Sequence, residues 1–293
     1  MNKKTVIICI SLLLSIVMFV IVQHQQTPDP LTIEQEVEQD IEDEKHTEER
    51  DDEVGEKEEV DDSPLMSMLT EAVQSTIHFF TQKETKIVAI GDSLTQGVGD
   101  STERGGFVGI LDRTINREEK LAHFENYGKK GDRTDQLIER LDSTDIQASI
   151  READIVLITI GANDIMQVVK ENITNLTYEP FSEARKLYET RLHSLFNTLK
   201  NINKDANIYL VGFYNPFAKY FPQIKELEAI VTDWNETSEQ VTQEFHRVTY
   251  IPTDDLFKET DEELFAEDNF HPNTVGYHRI AQRVLDYLIA EER

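Results

Sequence analysis

The chain contains 293 residues, enough for one large domain or two small ones, and its 57 acidic and 29 basic side chains give a net charge of −28. This balance argues against nucleic acid as a partner, because phosphate contacts require clustered lysine or arginine. The single cysteine, Cys9, excludes an intrachain disulfide, so the folded part must be stabilised by its hydrophobic core.

The first 26 residues have the pattern of a membrane anchor. Lys3 and Lys4 precede an uncharged run, Thr5–Val22, whose 18 residues would span roughly 27 Å as a helix, close to the thickness of a hydrocarbon core. A cleavable signal peptide is the alternative, but Gln23–Gln26 offers no small-residue cleavage site. We therefore predict a cytoplasmic stub and a single-pass anchor over residues 1–26, with the rest of the chain outside the cell membrane.

Two further segments precede the folded domain. Residues 31–62 hold 17 Asp or Glu and three basic residues, a net charge of −14, and this composition predicts an acidic disordered spacer over residues 27–64. From Leu65 to Phe80 the apolar residues recur at near-helical spacing, which predicts an amphipathic helix over residues 65–84 that leads into the domain. The domain itself is then predicted to occupy residues 85–293.

Short apolar runs alternate with helical patterns throughout this domain. The runs predict five strands, at Ile87–Ile90, Phe124–Tyr127, Asp154–Ile160, Asn207–Phe213 and Val248–Ile251. Helices are predicted over about 107–115, 135–141, 144–153, 181–203, 224–245 and 273–290. Strands separated by helices indicate an α/β fold with a parallel sheet covered on both faces, and a ligand site at the carboxyl ends of the strands.

The first strand ends in Gly91-Asp-Ser93-Leu94, where the chain must turn sharply. A serine on a tight turn at the carboxyl end of a central strand presents an exposed hydroxyl and a free backbone N–H. Acyl transfer needs a nucleophile in that position beside a donor for the developing oxyanion. Taken alone, the same pattern also fits an ordinary loop.

Three other sites fall at predicted strand ends or in the last loop. Gly131 follows the second strand, where a glycine lets the backbone N–H approach a bound group, and Asn163 follows the third with an amide that can donate a hydrogen bond. Asp268 stands three residues before His271, close enough for its carboxylate to accept from the imidazole. Each residue alone fits a turn or cap, but together they can supply a nucleophile, a base and oxyanion donors.

These blocks, Gly91-Asp-Ser-Leu, Gly131, Gly161-Ala-Asn-Asp and Asp268-x-x-His-Pro, resemble in order the signature blocks of the SGNH (GDSL) hydrolase superfamily. The likeness covers about residues 85–290, and the whole architecture is similar to membrane-anchored lipase/acylhydrolase-like proteins of Gram-positive bacteria. It implies a flavodoxin-like three-layer sandwich with strand order 2-1-3-4-5.

The resemblance also implies a role for each residue. Ser93 would be the nucleophile, His271 the general base and then acid, and Asp268 the group that orients His271. The N–H groups of Ser93 and Gly131, together with the Asn163 side chain, would form the oxyanion hole.

We therefore predict a membrane-tethered serine ester hydrolase, lipase-, acylhydrolase- or lysophospholipase-like, that acts on lipid or wall-linked acyl esters without a metal or other cofactor. The aromatic segment Phe213–Pro222 fits either an acyl-binding wall or ordinary loop packing. One alternative is an O-acetyl deacetylase of cell-wall polysaccharide, and another is a non-catalytic wall- or lipid-binding module. Chain-length preference and oligomeric state are left open by the sequence.

Overall fold

A computed structural model of the chain describes residues 85–172, 174, 177–216, 225–258, 260 and 262–290. The predicted anchor over 1–26, the acidic spacer over 27–64 and the amphipathic helix over 65–84 lie outside the described residues. Within the described part, no helix is both long and apolar enough to cross a membrane.

The core of the domain is a five-stranded parallel sheet in the order β2-β1-β3-β4-β5, which confirms the predicted fold and strand order. The five predicted strands all form, although β3 and β4 each end earlier than the apolar runs suggest. The strands are β1 (Thr85–Gly91), β2 (Ala122–Gly128), β3 (Ile155–Thr159), β4 (Asn207–Val211) and β5 (Val248–Ile251).

Eight α-helices and one short 3-10 helix connect and cover the strands in the described ranges. Two of them, α1 and α5, are not among the helices that the sequence predicted. The helices are α1 (Ser93–Gln96), α2 (Gly106–Ile115), α3 (Thr134–Arg140), α4 (Thr144–Glu152), α5 (Ala162–Glu171), α6 (Tyr178–Ile202), α7 (Lys225–Gln243) and α8 (Thr274–Ala290), with the 3-10 helix at Asp254–Phe257.

Both faces of the sheet are buried, as the near-continuous apolar runs predict. Alternate residues such as Ile87 and Leu157 pack in one cluster with α2 and α8. Their neighbours, including Val88 and Ile158, point to the opposite face and are no more than 2% exposed. On that side α6 packs on α7, which in turn packs on β5. The three-layer arrangement leaves the carboxyl edge of the sheet as the place where loops from several strands meet.

The turn out of β1 is fixed by contacts with the end of β3. Gly91 has φ of 144°, and a Cβ at this position would lie 2.1 Å from the Thr159 carbonyl oxygen, so only glycine fits. The Asp92 N–H donates to that carbonyl (3.0 Å). Its carboxylate then accepts from the Leu94 N–H (3.0 Å) and from the Thr159 hydroxyl (2.7 Å), which caps α1. The chain thus passes directly from the sheet into a short helix whose first residue is Ser93.

The carboxylate of Asp92 is buried, with 2% of the residue exposed. Burial raises its pKa from 3.8 to about 6, while the hydrogen bonds from Thr159 and Leu94 and the charge of His271 offset part of the rise. The nearby carboxylate of Asp164 adds a small increase. Between these two pH values the folded chain therefore binds a proton that the unfolded chain does not.

We expect Asp92 to make folding less favourable as the pH rises from about 4 to about 6, because the folded state must give up that proton. Asp92→Asn keeps an oxygen that can accept the capping hydrogen bonds and has no proton to lose. Relative to the wild type, its free energy of unfolding should therefore increase across this pH window and level off above it. Denaturant unfolding at a series of pH values measures the difference.

Asp142→Asn, which removes one negative charge at an exposed position, is the matched control for net charge. Parallel pH profiles for wild type and Asp92→Asn would contradict the account of Asp92.

Candidate active site

Ser93 and His271, 178 residues apart in the chain, meet at the carboxyl edge of the sheet. The Nε2 atom of His271 lies 2.9 Å from the Oγ atom of Ser93, within hydrogen-bond distance. Ser93 is 5% exposed, so the expectation of an exposed turn serine is wrong: as the first residue of α1 it is largely covered, and what remains accessible faces a pocket. The imidazole is therefore placed to take a proton from the hydroxyl.

The second imidazole nitrogen is held by Asp268. The Nδ1 atom of His271 lies 2.5 Å from the Oδ2 atom of Asp268. The Oδ1 atom of Asp268 accepts from the N–H groups of Phe270 (3.0 Å) and His271 (2.9 Å). Burial alone would raise the pKa of Asp268, but these hydrogen bonds and the charge of His271 outweigh it and lower the pKa to about 2. The carboxylate is therefore ionised at neutral pH and fixes the imidazole with Nε2 directed at Ser93.

The loop that carries Asp268 and His271 is held by its neighbours. The Ala266 N–H donates to the His271 carbonyl (2.9 Å), and the Tyr214 hydroxyl donates to the Phe270 carbonyl (2.9 Å). Gly99, at φ of +95°, lets the loop approach, because a Cβ there would lie 2.9 Å from that of His271. These contacts come from three separate parts of the chain, so the imidazole position depends on the folded domain as a whole.

The three predicted oxyanion donors each have a hydrogen that is free to donate. Among the described residues the N–H groups of Ser93 and Gly131 have no acceptor, and Gly131, at φ of +84°, has no heavy atom within 4 Å of where a Cβ would point. The Asn163 amide donates one hydrogen to the Asp132 carbonyl (3.0 Å), which fixes the side chain and leaves its second hydrogen available. Asn163 does not cap α5, whose N-cap is Gly161. The oxyanion hole predicted from Ser93, Gly131 and Asn163 stays a prediction.

An apolar pocket of about 670 Å³, part of it open to solvent, adjoins Ser93. Its walls come from the start of α5 and α6, from the first turns of α7 and from the loop after β4. Phe213 and Tyr214, from the predicted aromatic segment, belong to it, whereas residues 217–222 of that segment lie outside the described residues. The larger apolar side chains that line it are those of Leu94, Ile165, Met166, Val169, Phe181, Phe213, Tyr214, Leu227, Ile230, Val231 and Phe270.

Several contributors to the site have no local signal in the sequence. Thr159 and Tyr214 act through hydrogen bonds to residues distant in the chain, and the α7 residues Leu227, Ile230 and Val231 read as an ordinary core face. Over the described residues, no three His, Cys, Asp or Glu side chains come together in a way that could hold a metal ion.

Comparison with known proteins identifies the family. Residues 89–279 match the GDSL-like lipase/acylhydrolase family, and this range spans every residue of the site just described. The chain is 38% identical over 208 residues to the uncharacterised protein YpmR of Bacillus subtilis, covering 70% of this chain and 81% of YpmR. It is 26% identical over 204 residues to the spore germination lipase LipC of Bacillus licheniformis, covering 67% of this chain and 92% of LipC.

A solved structure shows the same fold. The lipase Lip_vut3, from a goat rumen metagenome, is similar with a TM-score of 0.60 at 24% identity, over 68% of this chain and 95% of the lipase. The sheet order, the family match and the identity to YpmR agree, and the chain belongs to the GDSL-like lipase/acylhydrolase family as a carboxylic ester hydrolase.

Proposed function

We propose that the protein hydrolyses acyl esters through Ser93, His271 and Asp268, with the N–H groups of Ser93 and Gly131 and the Asn163 amide as the oxyanion hole. The observation that carries the proposal is the continuous chain of hydrogen bonds from Asp268 through His271 to the Ser93 hydroxyl. Its geometry is that of a nucleophile, a base and a group that orients the base.

In the first half of the reaction the Ser93 hydroxyl attacks the ester carbonyl carbon while His271 Nε2 takes its proton. The carbonyl oxygen becomes the oxyanion of a tetrahedral intermediate and accepts hydrogen bonds from the three donors. The Asp268 carboxylate stabilises the imidazolium that forms. When the C–O bond to the alcohol breaks, His271 returns the proton to the departing oxygen, and the acyl group stays on Ser93.

The second half repeats these steps with water. Water attacks the acyl carbon as His271 takes one of its protons, the same donors hold the oxyanion, and the acid leaves as the proton returns to Ser93. Each proton has a defined donor and acceptor, and the cycle needs no cofactor.

The pocket beside Ser93 favours a medium or long acyl chain over acetyl. An acetyl group has one methyl carbon to bury, whereas the walls of this pocket are almost entirely apolar and extend from Ser93 to α7. Each buried methylene contributes roughly 0.8 kcal/mol, which corresponds to about fourfold in binding. This supports a lipase- or acylhydrolase-type substrate over an O-acetylated polysaccharide.

We further propose that the N-terminal segment Thr5–Val22 anchors the chain in the cell membrane with residues 85–290 outside. The support is the uncharged 18-residue run after Lys3 and Lys4 and the acidic stretch that follows it. Such a spacer would keep the hydrolase clear of the membrane surface.

Ser93→Ala should abolish turnover of p-nitrophenyl esters by the domain, because no other group takes the place of the nucleophile. The thermal midpoint should remain close to that of the wild type, since the substitution removes one hydroxyl and creates no strain. Measurable turnover by folded Ser93→Ala would rule out the mechanism.

Asn163→Ala should lower kcat by about 10²–10³-fold through loss of one oxyanion donor.

The pocket predicts a dependence on chain length. For p-nitrophenyl acetate, butyrate and octanoate, kcat/KM should increase by about fourfold per added methylene group until the pocket is filled. Leu227→Trp, which adds bulk at a half-buried lining position, should lower kcat/KM for octanoate by at least about tenfold and for acetate by less than about twofold.

The matched control for this substitution is Leu187→Trp, the same change at a position that is 51% exposed. It should affect neither ester. A preference for acetate, or an equal loss of both esters in Leu227→Trp, would favour the deacetylase alternative.

The anchor is tested with the full-length chain expressed in a Gram-positive host. The protein should fractionate with membranes and be degraded by protease added to intact protoplasts. Deletion of residues 1–26 should leave it in the soluble fraction. Full-length protein that is protected from the protease would contradict the proposed orientation.

A further inference from the structure

The guanidinium of Arg140, the last residue of α3, reaches back to the carboxyl edge of the sheet. Its Nη1 atom donates to the Asp132 carboxylate (2.6 Å) and lies 3.4 Å from the Gly91 carbonyl oxygen, and its Nη2 atom donates to the Tyr127 carbonyl (2.5 Å). The planar, forked guanidinium is suited to several acceptors at once. One side chain thus joins the ends of β1 and β2 to the loop that follows β2.

Each of its three acceptors adjoins the candidate oxyanion hole. Gly91 stands two residues before Ser93, Tyr127 is the second-to-last residue of β2, and Asp132 follows Gly131 directly. Asp132 uses its two polar groups differently: its carboxylate binds Arg140, whereas its main-chain carbonyl accepts from the Asn163 amide. The position of Asp132 therefore sets both the Gly131 N–H and the Asn163 side chain.

The positive charge of Arg140 also neutralises the Asp132 carboxylate. The Asp132 side chain is only 3% exposed, and without a partner its negative charge would oppose an oxyanion forming next to it. Lys129 is the other cation near this carboxylate, but its Nζ lies 3.6 Å away and its side chain is 63% exposed, so solvent screens it. Arg140 is thus the principal neutralising group for Asp132.

We propose that Arg140 is a positioning residue for the oxyanion hole: by clamping Gly91, Tyr127 and Asp132 it fixes the Gly131 and Asn163 donors without touching the substrate. The inference rests on the proposed function. It differs from a purely structural role because it predicts a loss in the chemical step beyond any loss in stability.

Arg140→Gln should lower kcat for p-nitrophenyl octanoate by about 10–100-fold, while KM changes by less than about threefold. The reason is that displacement of oxyanion donors by a fraction of an ångström weakens contacts that strengthen in the transition state. The assay is run well below the thermal midpoint of each variant, so that only folded protein is compared.

Arg283→Gln is the matched control. Arg283 also pairs with an aspartate, Asp255 (2.6 and 3.0 Å), and donates to a main-chain carbonyl, that of Pro252 (2.7 Å), and its side chain is 22% exposed against 20% for Arg140. None of its partners bonds a residue of the site. It should therefore leave kcat within about twofold of the wild type, and it should lower stability less than Arg140→Gln does, because the Asp255 side chain is 60% exposed against 3% for Asp132.

Arg140→Lys keeps a positive charge opposite Asp132 but cannot hold three acceptors in one plane. It should fold and should show an intermediate loss, about 3–10-fold in kcat. If Arg140→Gln does not fold, this variant decides the question: wild-type kcat in Arg140→Lys would overturn the proposed clamp.

The outcomes separate the two proposals. Turnover by Ser93→Ala would remove the proposed function itself. An inactive Ser93→Ala together with equal kcat values for Arg140→Gln and Arg283→Gln would remove only the role of Arg140.

Discussion

The hydrogen bond between Ser93 and His271 is the interaction on which the rest of the site depends. Ser93 is held at the end of β1 by the capping of α1, whereas His271 lies in a loop just before the last helix. The bond forms only if the sheet places β1 between β2 and β3 and α8 packs beside α2. The chemistry therefore depends on tertiary structure that spans the whole domain.

Parallel topology explains why so many parts of the chain contribute. All strands of a parallel sheet end at the same edge, so the loops after β1, β2 and β3 deliver Ser93, Gly131 and Asn163 to one place. The order β2-β1-β3 makes these three loops immediate neighbours. Asp268 and His271 reach the same edge from the loop before α8, and the imidazole completes the site.

The apolar pocket is built on the same edge but from different elements. Its walls belong mainly to α5, α7 and the loop after β4, although Phe270, from the loop that carries the imidazole, also lines it. In the proposed mechanism the pocket would hold the acyl group, and Asp268, His271 and Ser93 would handle the protons.

Much of the fold and all the proposed reactive groups could be predicted from the sequence, because both leave local signals. Apolar runs mark the strands, and Ser93, Gly131, Asn163 and His271 each stand in a short motif at a strand or loop end. Helix α1 escaped prediction because four residues are too few to show a helical period. What fixes its start is visible only in three dimensions, in the contacts of Asp92 with Thr159.

Arg140 and the pocket-lining face of α7 also could not be predicted. A long side chain on a helix can point to solvent or reach a distant carbonyl, and no local sequence pattern distinguishes these two arrangements. Likewise, Leu227 and Val231 have the spacing of any buried helix face, and only the packing shows that part of this face borders a pocket. The membrane anchor remains a prediction from charge and hydropathy.

The most direct test of the account is the structure of the domain after reaction with an alkyl fluorophosphonate. We expect a covalent bond from phosphorus to Ser93 Oγ, with the phosphoryl oxygen within about 3 Å of the N–H groups of Ser93 and Gly131 and of the Asn163 amide, and the alkyl chain in the apolar pocket. A protein left unmodified at Ser93, or a phosphoryl oxygen directed away from these donors, would contradict the central claim.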